Sequence, residues 1–132
     1  MSAHDWPAVL HRHTLLDSSW HYDLMLAPDA GPFDDDDRVL TTFRLAVEPW
    51  CGQAFDAEHI DPHRAAYLHL EARDLGARGR VELVARGAAR WAFVDVPSAA
   101  KAIDVDGTLG GHAFQLRGTE RTDRSWAFEP LS

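Results

Sequence analysis

Short runs in which apolar and polar residues alternate recur along the chain, separated by clusters of Gly, Pro and Asp. Such alternation predicts half-buried β-strands. Strands are expected at Trp20–Leu26 and at residues 40–45, 66–72, 80–85, 89–95, 112–117 and 125–129. Arg86 and Gly87 lie between two of these runs and predict the turn of a hairpin. About seven or eight short strands favour an all-β fold, a small antiparallel β-barrel that is closed or partly open.

Helix is expected to be a minor component, with one or two short helices. Asp56 is a candidate N-cap for residues 57–60, and residues 97–101 favour another helical turn. The stretch of residues 28–38 is rich in Pro and Asp and predicts a loop inside the domain. Because no repeat or linker is visible, residues 1–132 are expected to form a single domain.

Charge limits the classes of function that the chain can serve. Its 13 Lys and Arg residues face 21 Asp and Glu residues, for a net charge of −8. This field repels a polyanion at long range and argues against a protein that coats nucleic acid. Four of the acids form one run at residues 34–37, which is expected on a solvated loop away from the candidate chemistry. A local cationic or metal-centred phosphate site therefore remains compatible with the sequence.

Cysteine content and hydropathy bear on the cellular compartment. Cys51 is the single cysteine, so it has no internal disulfide partner and is expected to be a small buried hydrophobe. No export signal opens the chain, and no run of 18 apolar residues could span a membrane. The sequence therefore predicts a cytoplasmic protein without a membrane span.

Two histidine-containing segments carry the candidate chemistry, and the first is Trp20–Leu26. The side-chain period of two places His21 and Asp23 on one face of this strand. With a further histidine on the preceding segment, they form a candidate three-ligand metal site with open positions for substrate. The alternative is that both residues lie on the solvated face of an antiparallel sheet. His4, His11 and His112 are assigned no role.

The second segment is residues 61–71. On a strand, Tyr67, His69 and Glu71 would share one face, with His63 at the strand's entrance. A histidine in that position can donate to a phosphate oxygen or carry a proton, and a tyrosine can orient it. The alternative for His69 and Glu71 is a hydrogen-bonded pair at the surface.

Four segments, in order, resemble one known family. Residues 13–26 read HTLLDSSWHYDLML, and residues 63–71 read HRAAYLHLE. They resemble the signatures of the 3′-phosphoesterase domain of bacterial DNA ligase D, in which a histidine precedes His-Tyr-Asp-Phe-Arg-Leu-Glu and a later segment reads His-Pro-Leu-x-Tyr-x-x-Phe-Glu. Residues 75–91 and 109–128 are similar to the family's glycine-rich turn with its hairpin and to its closing strands.

The resemblance implies a small β-barrel whose concave face holds a divalent metal, preferably manganese, with zinc or cobalt as alternatives. It implies His13, His21 and Asp23 as metal ligands, His63 as a catalytic contact to the phosphate, and Tyr67 as its support. The implied activity removes ribonucleotides and phosphates from the 3′ ends of DNA in repair. The implied partners are DNA or RNA/DNA 3′ ends, together with separately encoded ligase and polymerase modules.

The chain departs from the family pattern where that pattern has positive charge. The family's cationic positions fall at Met25, Val47 and Phe55, and the interval between the first two histidines requires a small extra loop at residues 17–19. Each charge-assisted phosphate contact is worth about 2 kcal/mol. Three arginines are candidates to replace the missing phosphate contacts: Arg44, Arg64 and Arg117.

Three hypotheses about function follow from these observations. The first is a metal-dependent phosphoesterase that acts on nucleic-acid 3′ ends or another phosphoester. The second is a non-catalytic metal-binding barrel that docks a nucleic-acid end or a protein, which the lost cations favour. The third is a plain structural sheet protein, which would require His13, His21 and Asp23 to lie too far apart to share an ion.

Overall fold

A computed structural model, which describes residues 5–97 and 101–131, consists of one antiparallel sheet that closes on itself. The strands are β1 (Trp6–Thr14), β2 (Trp20–Leu26), β3 (Arg38–Leu45), β4 (Phe55–Arg64), β5 (Ala72–Asp74), β6 (Arg80–Val94), β7 (Ala102–Leu109), β8 (His112–Thr122) and β9 (Ser125–Pro130). Their order is β1-β2-β3-β4-β9-β8-β7-β6-β5, and β1 also pairs with β6. This pairing closes an eight-stranded barrel with β5 as an added strand, so the all-β prediction is confirmed.

The barrel interior holds the main hydrophobic core. Along β2, Tyr22, Leu24 and Leu26 point inward, whereas His21 and Asp23 point outward, as the period of two requires. The largest fully buried side chains in the core are those of Trp126, Phe43 and Phe128, and the Phe43 ring makes edge-to-face contacts with the other two. Every strand of the closed barrel contributes to this core.

A second, smaller core lies on the outer face of β1, β2 and β3. It contains Val9, Met25, Leu40 and Leu68. Leu68 belongs to a 3₁₀ turn, Ala65–Leu68, that follows β4 and covers this face. The loop at residues 27–37 holds this turn in place through two hydrogen bonds. The backbone N–H groups of Ala65 and Ala66 donate to the carbonyl oxygens of Asp37 and Asp35. Here β1 and β2 are therefore buried on both sides.

Two predicted elements are wrong because tertiary packing overrides the local pattern. The predicted strand at residues 66–72 is a 3₁₀ turn followed by bends up to residue 71, with only Ala72 in a strand, β5, since Leu68 is needed to cover the outer core. Residues 57–60 are part of β4, not a helix, because Ala57 pairs with both Leu45 and Trp126 and faces the interior.

The predicted helix at residues 97–101 falls mainly outside the described residues. Cys51 is exposed rather than buried.

The predicted hairpin at Arg86 and Gly87 is also wrong. One continuous strand of 15 residues, β6, runs through these positions and pairs with β1 in its first half and β7 in its second. At Gly87 a Cβ atom would lie 1.9 Å from the Thr108 carbonyl oxygen. The glycine therefore permits a close approach of neighbouring strands where the partner of β6 changes. It does not make a turn.

We expect Gly87→Ala to lower the free energy of unfolding by about 3 kcal/mol, because the added methyl overlaps backbone that cannot move aside. Gly111→Ala is the matched control: a Cβ there meets nothing within 4 Å, and only its φ of +84° is unfavourable. It should cost about 1 kcal/mol. Urea denaturation of both variants measures the difference, and equal losses would contradict the packing role of Gly87.

Candidate functional site

Three of the predicted residues meet on the outer face of β1 and β2. In the antiparallel register His13 lies opposite His21, and Asp23 follows two positions along the same face of β2. One ligand atom from each of the three side chains lies within 4.8 Å of the other two. A turn at residues 15–19, with Ser18 at a φ of 72°, supplies the extra loop that the spacing requires.

Two atoms of this cluster are buried without a hydrogen-bond partner among the described residues. His21 Nε2 and Asp23 Oδ1 lie 3.3 Å apart, but their geometry does not make a hydrogen bond. An unsatisfied buried polar atom costs free energy, so such atoms are rare unless they await a ligand or water. Two imidazole nitrogens and one carboxylate oxygen are a donor set that suits divalent transition metals. The residues therefore fit a metal ion.

His13 is oriented by the backbone of a neighbouring turn. Its Nε2 donates to the Arg78 carbonyl oxygen at 2.6 Å, in the 3₁₀ turn Gly76–Arg78 that precedes β6. Because a carbonyl can only accept, this bond leaves Nδ1 of the neutral ring as the free ligand atom. Metal-binding histidines are commonly held in this way through their second nitrogen.

His11 belongs to the same face, although sequence reasoning assigned it no role. It lies opposite Asp23 in the β1–β2 register, is 0% exposed, and has no hydrogen-bond partner for either ring nitrogen among the described residues. Burial lowers the pKa of His11 to about 4, against an opposing effect of the Asp23 carboxylate. The spacing of His11 and His13 was the available signal, because residues two apart share a face once β1 is known to be a strand.

His63 and Tyr67 lie on the other side of His11. Near the end of β4, His63 Nδ1 donates to the Asp61 carbonyl at 3.1 Å, which leaves Nε2 free. The Tyr67 ring makes edge contacts with His63 at 5.4 Å and with His11 at 5.7 Å between centroids. Three rings thus link the end of β4 to the strand pair that carries the cluster.

The predicted common face of Tyr67, His69 and Glu71 is wrong, because no strand forms there. Tyr67 is on the 3₁₀ turn, His69 is exposed, and Glu71 lies 3.6 Å from the Arg86 guanidinium.

An open cleft with a volume of about 330 Å³ lies beside His63 and Tyr67. Its wall is rich in arginine residues, which come from β3, β4, β5, the Gly76–Arg78 turn and the β8–β9 connection. These residues are Arg38, Arg64, Arg73, Arg78 and Arg124. Arg78 is also the residue whose carbonyl holds His13, so the cleft and the cluster share a wall.

The three arginines proposed as replacement cations have different positions. Arg64 lines the cleft, and its guanidinium lies 3.8 Å from Asp36 of the acidic loop, which itself does not line the cleft. Arg44 lies opposite Asp23 in the β2–β3 register and pairs with Glu58. Arg117 is on β8, across the barrel from β2, in a two-bond pair with Asp104. Its placement removes Arg117 from the candidate phosphate contacts.

Comparison with known proteins adds no assignment: neither a protein-family model nor a curated protein matches the chain. In the part of the chain that the structure describes, no helix is long and apolar enough to cross a membrane.

The buried His11 predicts an acid-sensitive fold. Its pKa is about 4 when folded and 6.5 ordinarily, so between these values the unfolded chain binds a proton that the folded chain does not. The contribution of His11 to the free energy of unfolding should therefore be fully present above pH 6.5. It should be lost as the pH falls towards 4, by up to about 3 kcal/mol. Urea titrations in EDTA across this range, with His11→Phe as the comparison, measure the effect. If both proteins lost stability in parallel, the assignment to His11 would be wrong.

Proposed function

We propose that the protein is a metal-dependent phosphoesterase that acts on the 3′ ends of nucleic acid. The observation that carries this proposal is the meeting of His13, His21 and Asp23, with two buried unpartnered atoms. The neighbouring arginine-rich cleft supports a phosphoester as the substrate class, because guanidinium groups bind phosphate oxygens in paired hydrogen bonds. The resemblance to the ligase D domain supports the 3′ end, DNA repair as the setting, and a cytoplasmic protein.

His13, His21 and Asp23 would hold the ion, manganese by the resemblance, with zinc or cobalt as alternatives. A divalent ion held by these residues would supply Lewis-acid chemistry: it would polarise a phosphoryl oxygen and lower the pKa of a water molecule that acts as the nucleophile. The residues of the chain orient the substrate around it. His63, once protonated, donates from Nε2 to a phosphate oxygen and stabilises the charge that develops on it. Tyr67 packs against His63 and holds its ring.

Metal binding tests the first half of the proposal. Manganese or zinc should raise the free energy of unfolding by about 3 kcal/mol when the free ion is at about 100 times its Kd. His21→Ala and Asp23→Asn should abolish this gain, because each removes a ligand atom. His69→Ala is the matched control, since His69 is exposed and outside the cluster. Thermal unfolding and calorimetric titration measure both. Equal affinity in all four proteins would rule out the cluster as the site.

Hydrolysis of a DNA primer that ends in one ribonucleotide tests the second half. With manganese, His21→Ala should reduce the rate to background, and His63→Ala should lower it roughly a hundredfold while metal binding is retained. His69→Ala should leave the rate unchanged. A gel assay of the shortened product measures these rates. If His21→Ala cleaved as fast as the unaltered protein, the proposal would fail.

One observation favours a non-catalytic docking barrel as the second candidate. Met25 occupies the position of a family arginine, and it is fully buried in the outer core, where it contributes packing and no charge. A protein that binds manganese or zinc but turns over no phosphoester would be this docking barrel. It would keep the metal site to hold a nucleic-acid end or a protein partner.

A further inference from the structure

Ion pairing divides the arginines of this chain into two groups. Eight of the twelve arginines lie within 4.0 Å of a carboxylate, as expected in a protein with a net charge of −8. The other four have no ion-pair partner among the described residues. They are Arg38, Arg73, Arg78 and Arg80. Three of these four line the cleft beside His63.

This concentration of unpaired charge comes from three separate parts of the fold. Arg38 begins β3, Arg73 is in β5, and Arg78 ends the Gly76–Arg78 turn. Acidic residues are plentiful, yet none pairs with these three guanidiniums in the described structure. Like charges that converge on one cleft repel one another, so the arrangement raises the free energy of the empty protein. A bound anion would remove that cost.

The number of guanidiniums indicates more than one phosphate. One or two arginines satisfy a single phosphate group through paired hydrogen bonds. This cleft offers three unpaired arginines, and it adds Arg64 and Arg124, each already engaged with an aspartate. The Tyr67 ring also lines the cleft and offers a surface on which a base can stack. Cationic groups combined with aromatic rings along one groove are typical of sites for single strands.

We propose that this cleft binds the backbone of a single-stranded nucleic acid, through at least two successive phosphates, at Arg38, Arg73 and Arg78. The orientation of the strand rests on the proposed function: its 3′ end would pass His63 and reach His13, His21 and Asp23. Arg78 joins the two parts, because this residue lines the cleft and its carbonyl holds His13. None of the three arginines falls at Met25, Val47 or Phe55, where the ligase D pattern has its cations.

The test is binding of a short 5′-labelled oligothymidylate to the full chain in EDTA, followed by fluorescence anisotropy. The double variant Arg73→Gln, Arg78→Gln should bind at least tenfold more weakly. Its plot of log affinity against log salt should be shallower by about 0.7 for each arginine removed, the value for phosphate contacts in single strands. The matched control is Arg80→Gln, Arg90→Gln, which removes the same charge from exposed arginines outside the cleft. It should bind within about twofold of the unaltered protein.

Three outcomes would overturn the inference. In the first, the unaltered protein does not bind the oligonucleotide at low salt. In the second, both double variants bind it more weakly by the same factor. In the third, inorganic phosphate displaces the labelled strand as well as unlabelled oligothymidylate does when the two are compared at equal concentrations of phosphate groups. The last would indicate a single-anion pocket. Misfolding is excluded as the cause of a loss if the thermal unfolding temperature of each variant is no lower than that of the unaltered protein and its manganese affinity is unchanged. Relief of repulsion in the cleft should raise this temperature slightly for the Arg73→Gln, Arg78→Gln variant.

Failure of this inference is distinguishable from failure of the proposed function. Binding is measured without metal, so strand binding in a protein that never hydrolyses its end contradicts the phosphoesterase alone. If both double variants hydrolyse the primer with unchanged KM, strand binding in the cleft is contradicted and the phosphoesterase proposal is not.

Discussion

The pairing of β1 with two neighbours at once determines the rest of this structure. On one side β1 meets β2 and on the other β6, and the second pairing closes the barrel. The same register fixes His13 opposite His21 and His11 opposite Asp23. Because a shift of one residue would turn every one of these side chains to the other face, the apolar positions of β1 that fill the barrel also determine which residues form the cluster.

Burial on both faces of β1 explains why polar groups are buried in this part of the fold. The outer face carries an apolar core around Val9, Met25 and Leu40 and continues directly into His11 and Asp23. Atoms of His11, His21 and Asp23 are left without hydrogen-bond partners among the described residues, and each such atom costs about 1 to 3 kcal/mol. Stability is therefore lost at the place where candidate chemistry is concentrated, a common relation between stability and function.

Local patterns predicted a strand where polar residues interrupt the apolar run at every second position. From Trp20 to Leu24 the residues alternate in this way, so the strand Trp20–Leu26 and the shared face of His21 and Asp23 could be predicted, although β2 is buried on both faces. The strand β1 could not be predicted from the sequence, since four consecutive residues, 8–11, are buried and the alternation disappears. His11 was missed for the same reason. The turn at Tyr67 and the continuous β6 depend on contacts distant in sequence, with the outer core and with Thr108, that no local window contains.

Net charge describes this protein poorly, because ion pairing makes most of its positive charges local. An exposed arginine beside an aspartate contributes little field beyond the pair, and at physiological salt the field of either charge decays within about 8 Å. The acidic excess therefore acts mainly where acids are unpaired, and the positive field acts mainly in the cleft beside His63. Even there, Asp36 and Asp61 lie within 4 Å of Arg64 and Arg124. The cleft is thus less cationic than its five arginines suggest, and its charge comes chiefly from Arg38, Arg73 and Arg78.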